Sequence, residues 1–419
     1  MSLAALITGT SGLSVSSFAL DVVGNNLANL NTTGFKQQSA SFQDAVYQTL
    51  NPGSAPTSNL GGTNPSQQGS GVTVGAIDNT FDQGTITATG QPLDAAISGN
   101  GFFVVNNGAS NSYTRAGSFS VDANGFMVDP NTGDHVQRIG TVGEATATTP
   151  GYQVAGNNDI KIPYGAGLPG TPTANVNYQG NLDSTNAVNT STTTGIQVYD
   201  SQSTAHDLNI TFTKTATNTY SVSGTVDNGT VTIPAGTSVT FDSNGLLVSP
   251  ATITATLSGL TDGATNQNIT LNLGTPGQAT GVTQFGGTTN ANAITQDGTG
   301  YGTLTSVSID NSGTVQGSFS NGATAPIAQL AIAAFNNVGG LVRTGNNYFS
   351  ATAASGQPLV GTAGSGGNGT VTGGSLEGSN VDIASEFSQL IIAERGFQVN
   401  AQTITAVDNT LQTLTNIIR

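Results

Sequence analysis

The stretch Gly24-Asn25-Asn26-Leu27-Ala28-Asn29-Leu30-Asn31-Thr32-Thr33-Gly34-Phe35-Lys36 closes an apolar stripe. Upstream of it, Leu6, Leu13, Leu20 and Leu27 recur every seven residues, and Leu3, Val23 and Leu30 thicken the pattern. This heptad-like period predicts an amphipathic helix of roughly four heptads, about 45 Å long at 1.5 Å per residue. Gly9, Gly12 and Gly24 interrupt it, and each costs an isolated helix up to about 1 kcal/mol. The segment is therefore marginal alone. Asparagine inside a helix competes for backbone hydrogen bonds. The cluster Asn25, Asn26, Asn29 and Asn31 beside an apolar stripe points to interhelical hydrogen bonding and register. Asn31 to Gly34 should stop the helix, and Phe35 should anchor the loop that follows.

The other end of the chain carries a matching pattern. Ile383, Phe387, Leu390, Ile391, Phe397, Ile404, Val407, Leu411, Leu414 and Ile418 recur at intervals of three, four and seven, with Ile391 crowding the stripe. No proline falls between Val381 and Arg419, and Ser379, Asn380 and Asp382 are N-cap candidates. Two amphipathic helices at opposite ends predict a coiled coil made by the chain's own termini.

Between them the sequence alternates with period two. Leu208, Ile210 and Phe212 share one face, as do Ile253, Ala255 and Leu257, and Ile269, Leu271 and Leu273. Thr-rich alternation broken by Gly, Asn and Asp reads as half-buried antiparallel strands. Three copies of one pattern recur: Asp122-Ala123-Asn124-Gly125, Asp242-Ser243-Asn244-Gly245 and Asp310-Asn311-Ser312-Gly313. Each predicts a hairpin turn with positive φ at the glycine. The fold class expected is mainly β and multidomain: terminal helices paired as a coiled coil, with a second antiparallel β domain inserted into the first. Composition shifts place the terminal helical domain at 1–31 with 382–419, linkers at 32–71 and 364–381, the first β domain at 72–145 with 286–363, and the inserted domain at 146–285.

Composition removes whole classes of function. The 419 residues are 7% charged, with Lys+Arg 8 against Asp+Glu 23 and a net charge of −15, where about 25% charged is ordinary. Such an acidic chain repels phosphate, which argues against nucleic-acid binding. With no cysteine and two histidines, disulfides, thiolate zinc sites and three-histidine metal sites are excluded. No continuous apolar run approaches the roughly 18 residues of a membrane span, and no Lys or Arg precedes Lys36, so neither membrane insertion nor a Sec-type signal peptide is expected.

No constellation reads as catalytic. The Asp-x-Asn-Gly copies lack the carboxylate that a calcium loop needs at position 12. Gly364 to Gly369 matches G-x-G-x-x-G, but no helix follows at once, so a loop is the better reading. His206 and Asp207, with Asp200 nearby, could orient a base. However, neighbours on a strand point to opposite faces, so a strand-edge polar pair is expected. Glu386 and Glu394 lie eight residues apart on the C-terminal pattern, and Glu394, beside Arg395, reads as a solvated or interface charge and not a catalytic carboxylate. No cofactor is expected, and the chain reads as a structural or binding protein.

The chain resembles the bacterial flagellar rod and hook axial proteins. Asn25, Asn26, Ala28 and Asn29, followed by Thr33, Gly34, Phe35 and Lys36, are similar to that family's N-terminal signature. Gly374 to Asp382, including Ser379, Asn380, Val381 and Asp382, and then Ala393 to Thr403, including Arg395, Asn400 and Gln402, resemble its C-terminal half. Leu93 to Phe103 is similar to its first β-domain motif, and Val198 to Lys214 and Gln329 to Ala363 to segments of its hook members. The sequence departs at Gly396-Phe397, where an Asn-Tyr-like pair is common in the family.

The resemblance implies a non-enzymatic subunit of the flagellar hook, exported without a cleaved signal peptide and polymerised into a tube outside the cell. It implies as partners further copies of the chain, the rod, a hook cap, hook–filament junction proteins, a hook-length ruler and the type III export apparatus. Among relatives the alternative is a rod protein. A secreted β-rich adhesin would share the composition but would need aromatic platforms, and this chain has no Trp.

Overall fold

A computed structural model describes residues 3–146 and 151–417. Helix α1 spans Leu3–Ala28 and helix α2 spans Ile383–Ile417, and they pack against each other. They run antiparallel: Gly9 faces Ile404, Gly12 faces Asn400 and Ser16 faces Gly396. The seam on α1 is made of small residues. A Cβ on Gly9 would lie 3.2 Å from Ile404 Cγ1, and one on Gly12 would lie 2.7 Å from the Asn400 amide. The predicted leucines Leu6, Leu13, Leu20 and Leu27 are half-buried. Leu13, Leu20 and Leu27 stand one turn beyond Gly9, Ser16 and Val23, beside the seam. α1 ends at Ala28, so Leu30 sits in the following turn.

By length and apolar composition alone, α1 over Ala4–Ala28 would suffice to cross a membrane. This differs from the expectation based on continuous apolar runs. Gly, Ser and Thr are nearly neutral in hydropathy, so they interrupt the run without lowering the mean far.

The expected alternation is present throughout the interior. Phe103 and Val105 face one core, and Phe102 and Val104 face the other side of the same nine-stranded sheet. The first core joins Leu93, Ile97, Phe103, Met127 and Ile162 to Val307, Val315, Ile332 and Val371. The chain thus leaves this core after Leu168 and returns at Leu304.

In between it builds a second core from Val176 to Ala291, between a five-stranded and a six-stranded sheet. Leu208, Ile210, Phe212, Ala255, Leu257, Ile269, Leu271 and Leu273 are fully buried there, and Ile253 nearly so. Antiparallel pairing dominates, with one departure. Strand Asn175–Asn181 runs parallel to Gln267–Asn272 and to Val282–Thr283. Parallel neighbours need a long connection, and the rest of the insertion supplies it.

The three Asp-x-Asn/Ser-Gly copies make the same turn. Oδ1 of Asp122 accepts the amides of Asn124 and Phe126, Asp242 those of Asn244 and Leu246, and Asp310 those of Ser312 and Thr314. The glycines follow at φ 87°, 78° and 76°, where a side chain would be strained. The segments read as linkers carry paired strands. Gln38–Asp44 pairs with Val72–Asn79, Tyr47–Asn51 with Ser66–Gly69, and Thr370–Gly373 with Ala95–Ser98. The Gly364–Gly369 loop closes on itself, with the Gly364 amide donating to the Gly369 carbonyl at 2.9 Å. It leads into a strand at Thr370 rather than a helix.

Candidate functional site: the junction of the chain ends

The two signature segments meet where the helices leave the first β core. After α1, Gly34 adopts φ 70°, and its Cβ would sit 2.6 Å from the Ala116 amide nitrogen, so only glycine fits. Its amide donates to the Glu377 carbonyl at 2.8 Å. Phe35 is buried, with the Arg343 guanidinium 4.9 Å above its ring. That ring is the anchor expected from sequence, and it fixes the path of the chain out of the helix. Arg343 also donates to the Lys36 carbonyl and to Asn79 Oδ1. Thr33 accepts from the Asn347 amide group at 2.9 Å.

Lys36 follows, fully buried, and it organises the junction's charge. Its Nζ lies 2.7 Å from Glu377 Oε1 and donates to the Asp82 carbonyl at 2.8 Å. Glu377 is also fully buried, and its other oxygen is 3.2 Å from Arg115. Arg115 reaches the carbonyls of Ile97 and Gly99 as well. Burial pushes the Lys36 and Arg115 pKa values down, and Glu377 opposes this in both. One carboxylate thus compensates two buried cations, and the three residues come from three distant parts of the chain.

A second set of bonds sits at the start of α2. Asp382 caps it, its Oδ1 accepting the amides of Ala384 and Ser385. Of the other cap candidates, Ser379 accepts the Val381 amide, at 3.4 Å. Asn380 ties the junction instead, accepting the Gln37 amide at 2.7 Å and donating to the carbonyls of Thr80 and Asp82. Val381 is buried beside it.

Glu386 is fully buried and accepts from Asn26 at 3.2 Å and from Gln37. It is an interhelical partner and not a solvated charge. Its place in the first turn of α2 also suits an anion. Among the four asparagines, Asn26 crosses between the helices. Asn25 donates to the Gln38 side chain, and Asn29 bonds back to Asn25. Asn31 and Ala28 are exposed.

Along α2, Leu390, Phe397, Asn400 and Ile404 are half-buried toward α1, while Ala393 and Val407 are buried. These residues follow Glu386 in steps of three and four. Phe387, Ile391, Ile392 and Val399 are more than half exposed, and Leu411 is 46% exposed. Arg395 and Gln402 are exposed. Leu414 lies on α2, and Ile418 lies outside the described residues. Nothing local in the sequence marks Glu377, Arg115 and Arg343 as partners. Their one signal was scarcity: in a chain with eight Lys and Arg, each charge in an apolar segment has a structural reason.

His206 and Asp207 diverge as the strand geometry requires. His206 is buried while Asp207 is exposed. His206 meets Asp200, Asp227 and Asp262, of which the last two were not anticipated.

The chain matches three protein families. Residues 6–36 match the flagella basal body rod protein family, and 372–417 match the flagellar basal body rod FlgEFG protein C-terminal family. Residues 167–299 match the flagellar basal body protein FlaE D2 domain. The first two matches end on, or begin just before, the residues that build the junction.

Full-length relatives agree. The flagellar hook protein FlgE of Treponema pallidum is 35% identical over 463 residues, covering 99% of both chains. That of Salmonella typhimurium is 37% identical over 425 residues, covering 97% of this chain and 98% of its own. The flagellar basal-body rod protein FlgG of Bacillus subtilis is more distant, 27% identical over 418 residues and 100% of both chains. Joined terminal helices, nested β cores and full-length identity above 30% to hook proteins lead to one conclusion: the chain belongs to the flagellar hook protein family, as a structural subunit and not an enzyme.

Proposed function

We propose that this chain polymerises, copy on copy, into the curved tube that joins the rod to the filament and passes torque between them. The observation that carries this reading is the unpartnered apolar surface of the helical end. Phe387, Ile391, Ile392 and Val399 on α2, with Ile7 on α1, are about half exposed or more in a single chain. Contiguous exposed apolar surface marks an interaction site. A head-to-tail contact that does not close builds a helical filament.

In the proposed arrangement, 1–31 with 382–419 forms the inner layer of the tube. Segments 32–71 and 364–381 connect it outward to a first β domain, 72–145 with 286–363, and the insertion 146–285 lies outermost. Contacts rich in Gly, Thr and Asn pin no single register with strong ion pairs, so neighbours can slide as the tube bends.

The partners proposed are the rod below, junction proteins above, a cap at the growing tip, a length ruler and the type III export apparatus. The location is extracellular. Helices that are marginal alone and fold on assembly would delay polymerisation until the tip.

Electron microscopy of a deletion strain and its complement tests the reading. Loss of hooks and filaments with rods intact is expected. Loss of rods would make it a rod protein, and normal flagella would overturn both.

A further inference from the structure

The second β domain carries a charged cluster outside the junction of the chain ends. His206 is 3% exposed, and its Nε2 lies 3.2 Å from Asp200 Oδ2 and 3.1 Å from Asp262 Oδ2. Its Nδ1 is buried without a hydrogen-bond partner, and Asp227 Oδ1 stands 3.6 Å away. Among the described residues, no lysine or arginine pairs with any of these three carboxylates.

A neutral imidazole carries one N–H and one lone pair. With the proton on Nε2, the buried Nδ1 lone pair faces Asp227. With the proton on Nδ1, the Nε2 lone pair faces two carboxylates. Neither tautomer suits three anions.

We propose that Asp200, His206 and Asp262 form a binding site for a borderline divalent cation of the zinc class, with His206 Nε2 and one Oδ2 from each aspartate as ligands. Tetrahedral zinc bonds of about 2.0–2.2 Å place neighbouring ligand atoms roughly 3.3–3.6 Å apart; Nε2 stands 3.2 and 3.1 Å from the two carboxylate oxygens, and the three ligand atoms lie within 4.8 Å of one another, so small shifts would complete the site. A cation on Nε2 puts the ring proton on Nδ1, aimed at Asp227. That is the carboxylate–histidine–metal arrangement that fixes a ligand's tautomer, and it accounts for the otherwise orphaned nitrogen. An imidazole donor argues against magnesium or calcium, which take oxygen. A remaining coordination position is left for water.

Asp200 follows strand Ser191–Tyr199 of the five-stranded sheet, and Asp262 lies between Thr252–Ser258 and Gln267–Asn272 of the six-stranded one. The ion would therefore clamp the two sheets together at one end.

The test is calorimetric titration of the EDTA-stripped full-length chain with zinc chloride at pH 7.5, alongside thermal unfolding. One ion per chain is expected, with a rise in the unfolding midpoint. Asp262→Asn, in an exposed loop, should fold normally and bind at least tenfold more weakly. Asp227→Asn should lose about 10–100-fold in affinity through the ring's orientation. The visible spectrum of the cobalt-substituted chain should show nitrogen and oxygen coordination and should change in both variants. Absence of saturable binding below millimolar zinc would overturn the site, leaving a protonated histidine bridging the carboxylates. Binding unchanged in Asp262→Asn would also overturn it, because the ion would then sit elsewhere.

Discussion

At the scale of single residues, the molecule concentrates its few charges where chain segments must be held together. Glu377 compensates both Lys36 and Arg115. Removing one partner of a buried pair leaves an uncompensated charge and costs about 3–5 kcal/mol. Glu377→Ala, which strands two cations, should lose at least that much in urea unfolding of the full chain. Lys36→Met leaves Glu377 with Arg115, so its loss should be clearly smaller. Equal losses would show that the network is not centred on Glu377.

The turn aspartates make a pH prediction. The Asp242 carboxyl is held below the usual carboxylate range, foremost by the Leu246 amide. Desolvation works the other way at Asp122 and Asp310, but their turn hydrogen bonds prevail and lower these values too. A depressed folded pKa contributes stability above the ordinary Asp value of about 3.9, and that contribution is lost as pH falls through the folded value. The triple variant Asp122→Asn, Asp242→Asn, Asp310→Asn keeps the acceptor oxygen but cannot titrate. Its urea midpoint should fall less steeply than the wild type's between pH 5 and 2.

At the scale of elements, the helix pair is set by what its seam lacks. Gly9 and Gly12 let the α1 backbone approach Ile404 and Asn400, while the leucines flank the contact. A Cβ at Gly12 meets the Asn400 amide, the movable end of a side chain. Gly12→Ala should therefore be tolerated, since Asn400 can turn aside and alanine improves helix propensity by about 1 kcal/mol. Gly12→Leu has no such escape and should separate the helices. Electron microscopy of complemented cells should show hooks with the first variant and none with the second. Thermal unfolding of the β cores, which contain no α2 residue, should be unchanged in both.

At the scale of the whole molecule, stability and assembly are placed in different parts of the chain. The β cores are complete within one copy, whereas the apolar face of α2 is not covered. The double variant Phe387→Asp, Ile391→Asp alters residues that are 52% and 56% exposed. It should therefore leave the monomer's unfolding free energy within about 0.5 kcal/mol of wild type. It should also abolish polymerisation, measured by sedimentation of the purified chain under conditions where the wild type forms tubes. A variant that still polymerises would move the assembly surface away from this face.

Periodicity in the sequence determined the element types: two helices at the ends, alternating strands between them, and three identical Asp-centred turns. Each of these depends on neighbours within a few residues, so local spacing contains the information. The C-terminal signature likewise marked the start of α2, because Asp382 acts on amides two and three residues on; α1 stops at Ala28, before the expected Asn31 to Gly34, and Gly34 owes its role to Ala116 and Glu377. Tertiary structure decided which face of α1 forms the seam, since Gly9 and Gly12 gain their role from a partner almost 400 positions away. It also decided that Lys36, Arg115 and Glu377 share one buried network, and that His206 meets Asp227 and Asp262 as well as Asp200. A charge's partner is chosen by where the whole chain returns, and no local pattern carries that.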